Sequence, residues 1–135
     1  MTATRLVPLI AVVWAAAGAF AADMTAQCPG IIPVTTIKPD KAVAGWTTVV
    51  PGPMHLRGAG MLSGAPETKR YLVPDKDAKG IQTYRVARGD GERWVWCDYG
   101  AVELARKLDD SATSCVVTTK IKTAERFVSA VVACK

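Results

Sequence analysis

Four cysteines, Cys28, Cys97, Cys115 and Cys134, constrain the fold of this chain more than any other feature of its sequence. An even number of cysteines in a short chain is typical of a small exported domain held together by disulfides. Zinc-binding thiolates usually come in close pairs, and no two of these cysteines are close in the sequence. The sequence therefore predicts two disulfides and an oxidising compartment.

The N-terminal segment also indicates export. Arg5 is the only charged residue before Asp23, and an apolar run follows it up to the small-residue cleavage motif Ala19-Phe20-Ala21. The uncharged stretch is shorter than the roughly 20 apolar residues of a membrane span. We therefore predict a signal peptide over residues 1–21. The remaining residues, 22–135, are predicted to form a single mature domain, periplasmic or secreted, with no stable membrane span.

The mature chain has the pattern of a β protein. Residues 22–44 are rich in proline, which cannot donate to a β-ladder, and are predicted to form an extended arm. Residues 81–86 alternate apolar and polar side chains, and residues 93–99 form an aromatic-rich strand. Asp90-Gly91 between them predicts a tight hairpin turn, because glycine accepts a positive φ.

Residues 115–120 and 127–134 predict a second hairpin, which turns near residue 124 and places Cys115 opposite Cys134. Opposite positions in an antiparallel pair have Cα atoms about 4.5–5.5 Å apart, within disulfide range. In a simple meander Cys97 and Cys115 lie two strands apart, which is too far. Of the three possible connectivities we therefore favour Cys115–Cys134 with Cys28–Cys97.

Together these segments predict a mainly β fold, a single antiparallel meander sheet with short helices at most, stapled by disulfides. Residues 101–108 and 124–134 also fit short helices, because their apolar residues match both periodicities. An α+β fold with a short helix packed on the sheet is therefore the alternative.

Several short motifs occur in order along the mature chain. They are Cys28-Pro29, Gly64-Ala65-Pro66-Glu67, Leu72-Val73-Pro74-Asp75, Trp96-Cys97-x-Tyr99-Gly100, Cys115-x-Val117 and a terminal Cys134. This C-x-Y-G … C-x-V pattern with four cysteines resembles a family of small, uncharacterised exported (periplasmic) proteins of Gram-negative bacteria. One departure is Leu108-Asp109, where that family often has Leu-Pro. The resemblance implies an extracytoplasmic location and paired cysteines, and it implies no activity.

The sequence contains no pattern that identifies a catalytic, cofactor or metal site. His55 is the only histidine, and no nucleophile motif surrounds a serine. The glycines of Gly58-Ala59-Gly60 lack the lysine and serine of a phosphate loop. Arg88-Gly89-Asp90 spells an integrin-binding tripeptide, although a turn explains these residues as well. We therefore predict no catalytic residue, no cofactor, no metal and no nucleic-acid partner.

Two groups of residues are candidates for recognition. Arg85, Arg88 and Arg93 flank the predicted turn and form a candidate patch for an anionic partner, in a chain of net charge +5. The aromatic residues Trp46, Trp94, Trp96 and Tyr99 form the second group. In a regular strand Trp94 and Trp96 share one face, while Val95 and Cys97 share the other, and one of the two faces packs on the core.

A small binding protein of the cell envelope or extracellular space fits these features best. Its partner is predicted to be an unknown protein or envelope component, and the chain itself is predicted to be a monomer. The alternatives are a hydrolase with an unrecognised carboxylate site and a structural envelope protein. A binding protein needs an exposed loop or sheet face, whereas an enzyme needs a pocket with convergent titratable groups.

Overall fold

The computed structural model describes residues 24–38, 40–41, 43–123 and 126–135, so the predicted signal peptide lies outside the described residues. The described residues form strands joined by loops and two short 3-10 turns, Val34–Thr36 and Pro66–Thr68. The strands are β1 (Thr25–Cys28), β2 (Ile31–Ile32), β3 (Met54–His55), β4 (Gly58–Ser63), β5 (Lys76–Ala78), β6 (Ile81–Arg85), β7 (Arg93–Asp98), β8 (Glu103–Lys107), β9 (Ser114–Thr123) and β10 (Arg126–Cys134).

A five-stranded antiparallel sheet with the order β1-β10-β9-β6-β5 contains the two longest strands, β9 and β10. Its inward-facing residues alternate with exposed ones, as the period of a half-buried strand requires. Those of β1, β9 and β10 are almost fully buried: Ala26, Cys28, Cys115, Val117, Ala130 and Val132. Within the described residues, the first strand, β1, pairs with the last, β10, with Thr25 opposite Ala133.

A three-stranded antiparallel sheet, β4-β7-β8, packs against the first through the opposite side of the same core. In β7 the side chains alternate strictly, with Val95 and Cys97 buried and Trp94 and Trp96 half-buried. Ala59 and Met61 of β4 join the same buried cluster. The short pair β2-β3 forms a third sheet beside them. The core therefore lies between two sheets.

Two disulfides stabilise this arrangement in different ways. Cys28 of β1 is bonded to Cys97 of β7, which joins the five-stranded sheet to the three-stranded one. Cys115 is bonded to Cys134 from directly opposite positions of the β9–β10 hairpin. These are the pairs favoured from the sequence, and the hairpin register is the one that suggested them.

The mainly β, antiparallel, disulfide-stapled fold is confirmed, but the single meander sheet is wrong. The two segments that also fitted helices are strands, β8 and β10. The chain builds three sheets because successive strands leave one sheet for another: β4 and β7 pair together although β5 and β6 lie between them in sequence.

The predicted hairpin at Asp90-Gly91 is also wrong. β6 is already flanked by β5 and β9, so it has no free side for β7. The tight hairpin in this region joins β5 to β6 instead, through Lys79 and Gly80, whose φ values of 52° and 76° are those of a primed turn. Residues 86–92 form a crossover between the two sheets.

The side chain of Arg93 holds the crossover, residues 86–92, against the rest of the protein. Its side chain is only 1% exposed, although the sequence analysis placed it in a surface patch. The guanidinium donates hydrogen bonds to the carbonyls of Ala87, Gly91 and Ala112. One buried guanidinium thus bonds to both connections between the sheets at this end, 86–92 and 108–113, and it supplies a donor to the buried Ala112 carbonyl.

Candidate functional site

The structure does not bring the three arginines of the predicted basic patch together on the surface. The Arg85 side chain is 80% exposed and its Nε lies 3.6 Å from the Asp75 carboxylate. Arg88 is exposed in the crossover, whereas Arg93 points into the protein. Because Arg93 is only 1% exposed, its guanidinium is not available to a partner.

The single histidine lies in a strand, and the Arg88-Gly89-Asp90 tripeptide lies in a turn. His55 is half-buried in β3, opposite Ile31. In the tripeptide Arg88-Gly89-Asp90, the Asp90 carboxylate accepts a hydrogen bond from the amide of Ala87 at 3.1 Å and so closes a turn. Among the described residues, no three His, Cys, Asp or Glu side chains converge as metal ligands. No helix in the described part of the chain has the length and apolarity needed to cross a bilayer.

The exposed side of the three-stranded sheet carries an aromatic surface, which we call the aromatic face: Tyr71, Trp94 and Trp96. Trp94 and Trp96 project from β7 on the side opposite Val95 and Cys97. The Tyr71 ring packs edge-on against Trp96, with ring centroids 5.3 Å apart and planes at 80°. Leu62 lies opposite Trp94 in the register and is only 2% exposed, so this face has a small apolar base.

Charged side chains at the rim hold Trp94 in place. The indole Nε1 of Trp94 donates to the Glu92 carboxylate at 2.8 Å, and Lys107 Nζ donates to the other oxygen of Glu92 at 2.7 Å. The hydrogen bond from Lys107 lowers the pKa of Glu92, with a further contribution from Trp94. The same bond raises the pKa of Lys107. Both groups are therefore charged at neutral pH.

Tyr71 is fixed in a similar way from a distant segment. Its hydroxyl donates to Glu103 Oε2 at 2.7 Å, and this hydrogen bond raises the pKa of Tyr71. The ring remains 42% exposed. The polar atoms of Trp94 and Tyr71 are thus each hydrogen-bonded to a carboxylate, while both residues keep part of their surface exposed.

Gly60 of β4 is what lets Trp96 lie close to the sheet. A Cβ at this position would lie 2.8 Å from Trp96 Nε1 and 3.1 Å from the Tyr84 hydroxyl. Real carbon atoms do not approach so closely, so any side chain at residue 60 would displace the indole. At Gly58 the nearest Trp96 atom would be 3.7 Å away, an ordinary contact.

A second apolar surface, which we call the arm groove, lies between the N-terminal arm and the loops before β3 and β8. It consists of two shallow cavities of about 690 and 760 Å³, which share Ile37 and Val102. Ile31 and Val49 line it and are 53% and 76% exposed, and Trp46 in the same part of the chain is 77% exposed. Much of its backbone lies outside the strands.

Sequence reasoning found part of the aromatic face. It placed Trp94 and Trp96 on one side of a strand, and the burial pattern shows that the opposite side is the core. It did not find Tyr71 or Glu103, which reach the face from remote segments and belong to no local pattern. Tyr99, grouped with the aromatics, instead packs in the core and donates its hydroxyl to the carbonyl of Pro29 at 2.6 Å.

These features define a small, disulfide-linked β protein. Its described surface carries two apolar regions to which a partner could bind, the aromatic face and the arm groove. A family model for type VI secretion system Tli immunity proteins matches residues 51–135, which is more than half of the chain. The chain therefore belongs to the type VI secretion system Tli immunity protein family. No curated protein and no solved structure gave a match. The matched region contains the whole aromatic face, whereas part of the arm groove precedes it.

Proposed function

We propose that this protein is an immunity protein, which binds a toxin delivered by a type VI secretion system in the periplasm and blocks its action. The family match over residues 51–135 supports this role most directly. The predicted signal peptide and the two disulfides agree with action outside the cytoplasm. The partner is then a protein, as the sequence features suggested.

We propose the aromatic face as the surface that contacts the toxin. Tryptophan and tyrosine are enriched among the residues that dominate binding energy at interfaces. Glu92 and Glu103 hold Trp94 and Tyr71 in one arrangement before binding, so little side-chain entropy is lost in a complex. The carboxylates at its rim supply a polar border around the rings.

The function is tested by competition between sister cells. A strain that lacks this gene is mixed with its parent, whose type VI secretion system is active. We expect the deletion strain to lose viability, because it lacks protection against the parent's toxin. Plasmid-borne expression of the exported protein should restore survival, and a parent without a working secretion apparatus should not kill. Equal survival of the deletion strain beside both parents would contradict the proposed function.

The surface is tested with two matched tryptophan substitutions in the complementing plasmid. Trp96→Ala removes the centre of the aromatic face, and a loss of about 2 kcal/mol or more of binding free energy is typical of such a residue. Trp46→Ala removes a more exposed ring that is not part of the aromatic face. We expect Trp96→Ala to abolish protection and Trp46→Ala to retain it.

Tyr71→Ala is a second test of the aromatic face, in case Trp96→Ala fails to fold. Tyr71 lies on the same face but is 42% exposed, so its removal should disturb the fold less. The variant's periplasmic level and thermal melting should match those of the wild type while protection falls. If Trp46→Ala abolishes protection and both aromatic-face variants retain it at normal levels, the contact surface lies outside the aromatic face and our assignment is wrong.

A further inference from the structure

β8 is the open edge of the three-stranded sheet. All five of its residues, Glu103 to Lys107, are exposed. The other edge of that sheet, β4, is covered: Ser63 donates its amide to the carbonyl of Arg70, and Leu72 donates to Met61. Within the described residues no strand pairs with the far side of β8. An open edge of this length is a template for another strand.

The register of β7 and β8 shows which backbone groups are available. Tyr99 donates to the carbonyl of Val102, and Leu108 donates to that of Arg93, so even-numbered residues of this segment bond to β7. Hydrogen-bonded and non-hydrogen-bonded pairs alternate in an antiparallel ladder. The N–H and C=O groups of Glu103, Ala105 and Lys107 therefore point away from β7, towards solvent.

The side chains of β8 are complementary to those of a second β8 in antiparallel orientation. With Ala105 on the two-fold axis, Glu103 lies opposite Lys107 at both ends of the seam. Leu104 lies opposite Arg106, whose aliphatic stem can cover it. Opposite charges directly across a ladder stabilise the pair, and like charges destabilise it. No like charges face each other in this register.

We propose that two copies of this protein associate through β8, which joins their three-stranded sheets into one continuous six-stranded sheet. The occupant of the edge is thus a second copy of the chain, because charge complementarity at both ends singles out self-pairing. The sequence analysis predicted a monomer, and the orientation of β8 in the fold is what changes that expectation. The dimer is isologous, since each copy uses the same strand.

Self-pairing places the two aromatic faces on the same side of the joined sheet. Side chains directly opposite each other in an antiparallel pair point to one face. Trp96 is opposite Ala105 within each copy, so the two Trp96 rings and the two Ala105 residues form a single row across the axis. Three strand spacings separate the Trp96 backbones, a distance of about 14 Å.

The test is sedimentation equilibrium of the exported, disulfide-bonded protein over a wide concentration range. We expect a reversible equilibrium between monomer and dimer. Glu103→Lys and Lys107→Glu each place like charges opposite at both ends of the seam, and each should weaken dimerisation at least tenfold. The double variant, Glu103→Lys with Lys107→Glu, restores opposite charges across the seam and should dimerise more tightly than either single variant. The contacts of Lys107 with Glu92 and Asp110 within one copy are lost in both Lys107→Glu and the double variant, so this comparison isolates the seam.

Ala105→Pro is the second variant. Its amide points to solvent in the monomer, so proline leaves the β7 ladder intact but removes the hydrogen bonds at the axis. Dimerisation should be lost while the melting temperature is retained. A protein that stays monomeric at all concentrations would overturn the proposal. So would a dimer that is unaffected by Ala105→Pro, or one that the double charge exchange fails to restore.

Discussion

The five-stranded and the three-stranded sheet differ in the length of their strands and in how a disulfide constrains each of them. The five-stranded sheet has long, regularly paired strands, and one disulfide closes its central hairpin. The three-stranded sheet is smaller, and β8 at its edge has every residue exposed. It is fixed to the rest of the protein by the Cys28–Cys97 bond and by the buried guanidinium of Arg93. The sheet that carries the aromatic face thus has two specific cross-links to the rest of the protein in addition to its share of the core.

Of the changes that test this difference between the sheets, removal of a disulfide should lower the free energy of unfolding most. Cys28 and Cys97 are 69 residues apart in sequence, whereas Cys115 and Cys134 are 19 apart. On the chain-entropy account, replacing the first pair by alanine lowers the free energy of unfolding by about 4 kcal/mol, and replacing the second by about 3 kcal/mol. Denaturant unfolding of the two double variants measures both. A larger loss from the second pair would show that the short hairpin governs stability.

Arg93→Met should be the next most damaging change. It leaves the carbonyls of Ala87, Gly91 and Ala112 without the guanidinium, at an expected cost of about 3 kcal/mol. Arg85→Met is the matched control, because the Arg85 side chain is 80% exposed and its ion pair with Asp75 is worth less than about 1 kcal/mol. Urea unfolding of both variants compares them directly. Equal midpoints would mean that the crossovers hold without Arg93.

Gly60→Ala should disturb the aromatic face more than Gly58→Ala. The new methyl at residue 60 displaces the Trp96 indole, and overpacking of this kind costs about 1–3 kcal/mol. At residue 58 the methyl makes only ordinary contacts. Near-ultraviolet circular dichroism should change for the first variant and not for the second. Identical spectra for both variants would place Trp96 away from Gly60.

Acidification should weaken the hydrogen bond between the Trp94 indole and Glu92. We expect this to be the smallest of the four effects. The pKa of Glu92 is lower in the folded protein than in the unfolded chain, so its stabilising contribution is lost as the pH falls through the folded-state pKa. The indole N–H resonance of Trp94 should titrate in that acid range. Glu92→Gln should abolish the titration, whereas Glu67→Gln on the exposed 3-10 turn should leave it unchanged. A persistent titration in Glu92→Gln would assign it to another group.

The sequence predicted the local pieces of this fold better than their assembly. Alternation located β6, and aromatic-rich composition located β7. Strand-like runs located the β9–β10 hairpin, so the opposite cysteines followed from ladder geometry. The assignment of the hairpin turn to Asp90-Gly91 was wrong, because the turn lies at Lys79-Gly80. Both are good turn sequences, and the outcome depends on which sides of β6 are already occupied, a property of the whole sheet.

The candidate site shows the same limit. Trp94 and Trp96 were placed on one face from their spacing, but spacing cannot say which face is exposed. Arginine is usually a surface residue, so the sequence places Arg93 on the surface. Only the folded loops bring three carbonyls around its guanidinium. Tyr71 reaches Trp96 and Glu103 from another part of the chain. Contacts between remote segments carry no local sequence signal.

The pairing of β1 with β10 has a consequence for when this protein can fold. β10 lies between β1 and β9, and the amide of Cys134 donates to the carbonyl of Met24 at 2.7 Å. Such distant pairings form slowly, because the loop between them must close first. The five-stranded sheet cannot be completed until the C-terminal strand has been synthesised. If the predicted signal peptide directs export, this late pairing keeps the chain from folding during synthesis, before it crosses the membrane.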